Sequence, residues 1–427
     1  TADVVVLGYG GAGACAAIEA HDAGAKVLIL EKLAQGGGNT AVSSGGFMIP
    51  KDAKDAYTYL NATYAFADSE KDEALLDVFC KEIQGAKTFI EDLKPDTKLM
   101  IYGHAGFASL PGADTVDKWR IRGKKRGGDM LFDQYRYAVE EVRKIEVMLE
   151  TPALELIRRN GEVVGVVAQH AGKRINVRAN RAVVVATGGY EFDAQSLRTY
   201  ALGTEIQGLG SPGNTGDGLR MTQTMGARLW HMTAYSCPVG MKVPGLKTAI
   251  QLNILAPSHI WVDQDGKRFV NELERRDVLS RAALAQPDGV FYRITTVKNA
   301  KVDENGITAQ GQSIKSLLKA KKVYEAPTIE ELAKKVGMDP KVLGETVAKW
   351  NDFCRKQTVD PDFGRASCTP NVTLYEGPYY AEMRAPAVHH TMGGVEVDAQ
   401  TRVLDKNGKV IPGLYAAGEV TGGLHGT

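Results

Sequence analysis

The chain has 427 residues, of which 44% are hydrophobic and 24% charged, with a formal net charge of +1. This is an ordinary soluble composition, long enough for two domains or one large elaborated one. The charge balance excludes a global pull toward nucleic acid or an anionic membrane. The five scattered cysteines form no C-x-x-C, which excludes a zinc ribbon, a dithiol motif and an attached c-type haem.

No apolar run reaches the roughly 18–20 residues of a membrane span. The chain opens directly on a strand without an initiating Met and closes straight after a glycine-rich turn. Both ends therefore leave room for a targeting segment or a further domain. Many of the 47 glycines fall in clusters, the pattern of backbone that a ligand approaches closely.

In chain order, Ala2–Leu7 reads as a short buried parallel strand, an apolar run rich in Val. "GYGGAG" follows, with Gly8, Gly10 and Gly13 in G-x-G-x-x-G spacing, then a helical pattern over 14–25. "KVLILEK" is a second buried strand ending in Glu31 and Lys32. A strand, turn, helix, strand and acid within about thirty residues form the dinucleotide fingerprint. Gly8 makes the tight turn, Gly10 admits the pyrophosphate, and Gly13 lets the helix pack on the strand. Gly11 and Ala12 open the helix whose N–H groups face the phosphates. Glu31 is expected to take ribose hydroxyls. The motif alone leaves FAD and NAD(P) open.

Directly after the acid comes "QGGGNTAVSSGG" (35–46), where a nicotinamide domain usually continues into a helix and strand. Gly38, Asn39, Thr40, Ser44, Gly45 and Gly46 offer N–H and side-chain donors to an extended cofactor. A buried strand over 180–185 runs into Ala186, Thr187 and Gly188. "GSPGNTGDGLRM" (210–221) is another donor-rich turn opening a helix, with Asn214, Thr215 and Asp217. The middle of the chain, 231–369, has a different texture. "WVDQDGKRFVNELERRD" is a hairpin with an Asp-Gly turn leading into a helix. "TIEE" is a capping box, and "AKKVGMDP" ends one helix before another begins. Near the end stand "RAPAVHHTMGG", with His389 and His390, and "GLYAAGEVTGG", a strand running into Gly418 and Glu419.

These strings, in this order and over nearly the whole chain, resemble the FAD-dependent fumarate reductase/succinate dehydrogenase flavoprotein superfamily, which also holds the 3-ketosteroid dehydrogenases. The resemblance implies an α/β fold: a Rossmann-like FAD-binding domain split in sequence (1–230 plus 370–427) with an inserted α+β capping domain (231–369). It resolves the cofactor to FAD. It places Glu419 at the ribityl region, Ala153 on the adenine-side strand, and His390 near the flavin.

It also implies chemistry: reduction of an activated C=C by hydride from flavin N5, with Arg276 as proton donor and Asp277 as its neighbouring acid. Adjacent arginines are ordinarily a surface ion-pair patch; the string "GKRFVNELERRD" moves them to catalysis. His389 is expected to clamp a substrate carboxylate or carbonyl, and Tyr235 to donate a hydrogen bond or proton. A metal site at the histidine pair lacks nearby ligands. The chain departs from the fumarate pattern at Cys237, Leu252 and Leu255, where the family carries histidine, glutamate and arginine. Cys237 then borders substrate or fills space, and the acceptor is larger or less charged than fumarate. The alternatives are 3-ketosteroid dehydrogenation and a non-catalytic electron relay. With no second nicotinamide, haem or cluster motif, electrons are expected from a haem-, FMN- or quinol-linked domain or protein outside the chain. The bacterial periplasm or cell envelope is favoured over the cytoplasm.

Overall fold

Ala2–Leu7 has no polar face, and such a strand is stable only when covered on both sides. In the computed structural model of the chain it lies inside a parallel sheet, with Val4 opposite Val27 on one side and Val5 opposite Val183 on the other. The structure describes residues 1–67, 69–200, 206–243, 245–250, 258–296, 313–366 and 368–424. The strand order is Arg402–Leu404, Val410–Ala416, Lys173–Val185, Ala2–Leu7, Val27–Leu30, Glu146–Met148. Ala153–Arg159 and Glu162–His170 continue it as an antiparallel extension of Lys173–Val185. Helices Gly11–Asp22 and Gly127–Arg136 cover one face, burying Ala14, Ala17 and Ile18 with Val6, Ile29 and Phe132. This is the Rossmann-like α/β arrangement expected, with the strand predicted over 180–185 starting earlier, at Lys173.

The sheet belongs to one of two compact units, comprising Thr1–Leu202, Gly210–Tyr235 and His390–Thr427. The other comprises Gly203–Leu209 and Ser236–His389. Residues 370–389, assigned from the sequence to the FAD-binding domain, fall in this second unit. The reason is strand pairing: Tyr379–Val388 lies antiparallel to both Phe291–Thr296 and Val323–Ala326. A ten-residue strand follows its hydrogen-bonding partners.

In the second unit the sequence signals are realised closely. Thr328 caps helix Ile329–Val336 by accepting from the Glu331 N–H at 3.2 Å, and Gly337 ends it in the left-handed conformation. Asp339 caps the next helix, Pro340–Lys356, whose Trp350 is fully buried. The Asp263–Gly266 turn closes a hairpin, with Asp263 Oδ1 accepting from the Lys267 N–H at 2.9 Å. Helix Arg276–Leu284 then packs Ala283 against Trp261, Val270 and Phe291. Among the described residues no helix is long and apolar enough to cross a membrane.

The turn before that helix is held by buried ions. Glu272 accepts from Arg268 Nε at 2.9 Å, from Arg365 at 2.9 Å and from the Trp261 N–H at 3.0 Å. Arg268 also reaches Asp360 at 2.7 Å. Both guanidinium groups lie over the Trp350 ring, 5.0 and 4.4 Å from its centroid. All four charged side chains are at most 5% exposed. Removing one partner of such a network strands the others in low dielectric. Glu272→Ala is therefore expected to lower stability by about 3–5 kcal/mol, read as a lower urea midpoint with an unchanged slope. A loss below about 1 kcal/mol, the range of exposed pairs, would contradict a buried network.

Candidate cofactor cleft

The cleft is built where the first strand turns into the first helix. Gly8 has φ +101°, and a Cβ there would lie 2.4 Å from the Ala186 carbonyl oxygen. A Cβ on Gly13 would lie 2.0 Å from the Gly8 oxygen, so the helix sits as close to the strand as a bare Cα permits. Gly10 differs. Its Cβ would meet nothing nearer than the Gly37 oxygen at 3.7 Å, so the protein itself does not demand glycine there. Gly10 caps the twelve-residue helix Gly11–Asp22, with no side-chain cap and no acid in its first turn. The Gly11 N–H donates to Thr40 Oγ1 at 3.0 Å. An open-faced glycine at a largely uncapped helix start suits an approaching phosphate.

Of the residues assigned to the cofactor from sequence, Gly8, Gly10, Gly11, Ala12, Glu31, Lys32, Gly38, Asn39 and Thr40 line this cleft. So do Ala153, Ala186, Thr187, Gly188, Asn214, Asp217, Gly418 and Glu419. Glu31 is buried and already holds the loop, accepting from the Tyr9 and Leu33 N–H groups at 2.8 Å each. Lys32 donates to Thr215 Oγ1 and Asp217 at 2.6 Å. Thr187 Oγ1 is buried without a hydrogen-bond partner in the protein. A buried hydroxyl left unpaired costs stability unless something else meets it, and Thr187 is a residue of the cleft wall.

The donor-rich loop divides into two parts. Residues 38–40 face the cleft, whereas Ser44, Gly45 and Gly46 do not line it. A Cβ on Gly127 would lie 1.8 Å from the Ser44 oxygen, and one on Gly45 2.2 Å from Gly127, so this half seats helix Gly127–Arg136. Gly13, Thr215 and His390 also lie outside the lining.

Sequence reasoning missed Glu191, the residue directly after "ATGGY". It is fully buried. Asn39 Nδ2 donates to Glu191 at 2.8 Å and to Glu419 at 2.7 Å. Asn214 Nδ2 donates to the same two, at 2.7 and 3.4 Å. Glu419 further accepts from the Thr391 N–H at 3.0 Å. Burial pushes the Glu191 carboxyl up to about 7. Burial and then the neighbouring Glu191 hold Glu419 well above the ordinary carboxylate range.

The remaining candidates are distributed over both units. Tyr235 is half-buried and His390 half-buried in the first. His389 is exposed in the second, its N–H donating to the Ser236 oxygen at 2.7 Å. Cys237, also in the second, is 3% exposed, and burial pushes its thiol up to about 12, the state of a packing residue. Arg276 and Asp277 open helix Arg276–Leu284; their side chains lie outside the described residues, as do Leu252 and Leu255.

A model of the FAD binding domain family matches residues 3–427. The chain belongs to this family. It is an FAD-dependent oxidoreductase of the fumarate reductase-like kind, with FAD as its cofactor. It is 33% identical to a fumarate reductase (cytochrome) of Shewanella frigidimarina, over all of this chain and 73% of that protein. It is 30% identical to an NADH:acrylate oxidoreductase of Vibrio harveyi, again over all of this chain but 48% of that protein. The chain thus spans about half the length of the second relative. A solved structure of 3-ketosteroid delta1-dehydrogenase from Sterolibacterium denitrificans shares the fold, with TM-score 0.85 and 23% identity over all of this chain and 94% of that one.

The open Gly10 face, the orphaned Thr187 hydroxyl and the donor-lined wall all fit FAD. Thr187→Val keeps the shape and removes the hydroxyl. FAD affinity is expected to fall by up to about tenfold, the worth of one hydrogen bond. Stability of the FAD-free chain should hold or rise, because that hydroxyl has no protein partner. Equal losses in FAD-free stability and FAD affinity would show that Thr187 serves the fold instead.

Proposed function

We propose that this oxidoreductase reduces a C=C bond conjugated to a carboxylate or carbonyl, with Arg276 delivering the proton. Reduced FAD, when bound, supplies the hydride from N5. The second carbon of the alkene then carries developing negative charge and takes a proton from the chain. Guanidinium, with a pKa above about 12, is a weak acid. It serves only when held against that charge and resupplied afterwards. The observation that carries the reading is the mounting of the Arg276 backbone. The helix that it opens packs on Trp261 and Phe291, and Glu272, Arg268 and Arg365 lock the turn before it. Asp277 is the neighbouring acid that tunes or reprotonates Arg276.

His389 clamps the acceptor's carboxylate or carbonyl, Tyr235 adds a hydrogen bond, and His390 lies toward the flavin. Cys237, with Leu252 and Leu255, removes charge that a dicarboxylate would need, so the acceptor is larger or less charged than fumarate: an aryl-acrylate or a cyclic enone. Acrylate and fumarate in the relatives' names support the reductive direction. The ketosteroid enzyme's likeness, at 23% identity, supports the fold alone. Electrons come from a haem-, FMN- or quinol-linked donor outside this chain.

The test is reoxidation of chemically reduced holoprotein by fumarate, acrylate, urocanate, cinnamates and a steroid enone. An aryl-acrylate or enone is expected to react fastest, and Arg276→Gln to slow that reaction about 10²–10⁴-fold with FAD retained. Unchanged rates in the variant would leave an electron relay. Flavin reduction by a saturated ketosteroid, with no acceptor active, would reverse the direction.

A further inference from the structure

The paired carboxyl groups of Glu191 and Glu419 are not explained by the proposed reduction. Two carboxylates in one cage, Glu191 fully buried and Glu419 half-buried on the cleft wall, repel each other with little solvent screening. The cage contains amide donors and a backbone N–H. Asn39 and Asn214 each donate to both carboxyl groups, and Thr391 N–H donates to Glu419. The two groups also converge over Gly189. A Cβ there would lie 2.5 Å from Glu419 Oε1 and 2.9 Å from Glu191 Oε2. Glu191 Oε2 is buried and has no hydrogen-bond partner in the protein. A carboxylate oxygen in that position is unfavourable, and a proton on the pair relieves it.

Among the described residues, the groups bonded to the pair carry no positive charge. Tyr190 is the titratable neighbour on the same segment; its phenol donates to the Met232 oxygen at 2.6 Å, and burial raises it above its ordinary value. On the segment of Thr391, His390 Nδ1 lies 3.4 Å from the Thr391 oxygen. Beside Asn214, the charges Lys32, Asp217, Arg220 and Asp193 bond one another at 2.6 Å. Glu419, Asn39 and Asn214 line the cofactor cleft, whereas Glu191 stands behind them.

We infer that Glu191 and Glu419 share one proton, and that this proton is a condition of tight FAD binding, with Glu191 as the positioning residue that keeps it. The singly protonated pair presents a donor as well as acceptors to the cofactor's polyhydroxylated chain. The doubly ionised pair presents acceptors only and adds a negative charge to a cleft that must hold a diphosphate. The sign follows from the raised carboxyl values. The proton is held at low pH and leaves as pH rises beyond the ordinary carboxylate range, so affinity falls on the alkaline side.

The inference rests on FAD as cofactor and not on Arg276, and its test uses no substrate. Holoprotein is diluted at several pH values and FAD release is read by flavin fluorescence. From about pH 6 to about pH 8.5 the wild-type affinity is expected to fall at least about tenfold, one pKa unit of linkage. Glu191→Gln mimics the protonated acid at every pH, and its affinity should change less than about threefold over the same span. A variant that loses FAD in parallel with the wild type would overturn the inference, since another group would then be titrating. If the variant fails to fold, infrared spectra of the wild-type holoprotein decide. A protonated-carboxyl band is expected near pH 6 that disappears toward pH 8.5, and its absence near pH 6 would equally overturn the inference.

Discussion

Everything at the cofactor cleft depends on one contact, the approach of Gly13 to the Gly8 carbonyl. A side-chain carbon at Gly13 would lie 2.0 Å from that oxygen, so helix and strand are spaced by backbone alone. That spacing sets where the helix N-terminus points. Gly8 makes the matching demand toward Ala186, whose carbonyl is 2.4 Å from where a Cβ would be. Three segments, beginning at residues 8, 13 and 186, are therefore fixed to one another before any side chain contributes. Thr187 and Gly188 inherit their positions from this, and so does the acid strand ending at Glu31, through the Gly8 N–H bond to the Leu30 oxygen at 2.8 Å.

A second constraint closes the far wall. Asn39, Glu191, Asn214, Thr391 and Glu419 come from five separate stretches of the first unit, yet two amide groups and two carboxyl groups join them. Amide side chains suit this work because one NH2 offers two donors to two acceptors. The Asn39 carbonyl is also engaged, accepting from the Ser211 N–H at 2.7 Å. A fully engaged amide has one orientation, and it fixes both carboxyl groups where ionising them together is unfavourable.

The parts of the fold that were legible in the sequence are those governed by local rules. The Gly8–Gly13 spacing, the Thr328 cap and the Asp339–Pro340 helix start each need only a few neighbouring residues. The Asp265–Gly266 turn is of the same kind. What was not legible depends on partners distant in sequence. Nothing near Tyr379–Val388 says that it pairs with Phe291–Thr296, so the boundary read at 370 differs from the compact-unit boundary after His389. Ser44, Gly45 and Gly46 read as cofactor donors, and their seating of Gly127 was not legible, because Gly and Ser serve close backbone packing and ligand approach equally well. Glu191 had a local signal, an acid directly after a glycine turn, but its meaning lies in Glu419, 228 positions away by their numbering.

The same distinction bears on the arginines. "GKRFVNELERRD" carries Arg268, Arg275 and Arg276, and residue type alone does not separate a structural arginine from an acid. Arg268 is held on three sides: Glu272 accepts from Nε and one NH2 group, Asp360 accepts from the other, and Trp350 covers its face. Burial opposes its charge, but the hydrogen bonds and charges of Glu272 and Asp360 outweigh that, and the direction of its shift is upward. Such surroundings hold the proton on the group. Its buried partners keep the turn before residue 276 from yielding. A guanidinium that must protonate a carbon needs the opposite surroundings, few fixed acceptors and a backbone that does not recoil. One short string thus supplies an immobilised ion pair and, four residues beyond Glu272, the arginine proposed as the proton donor.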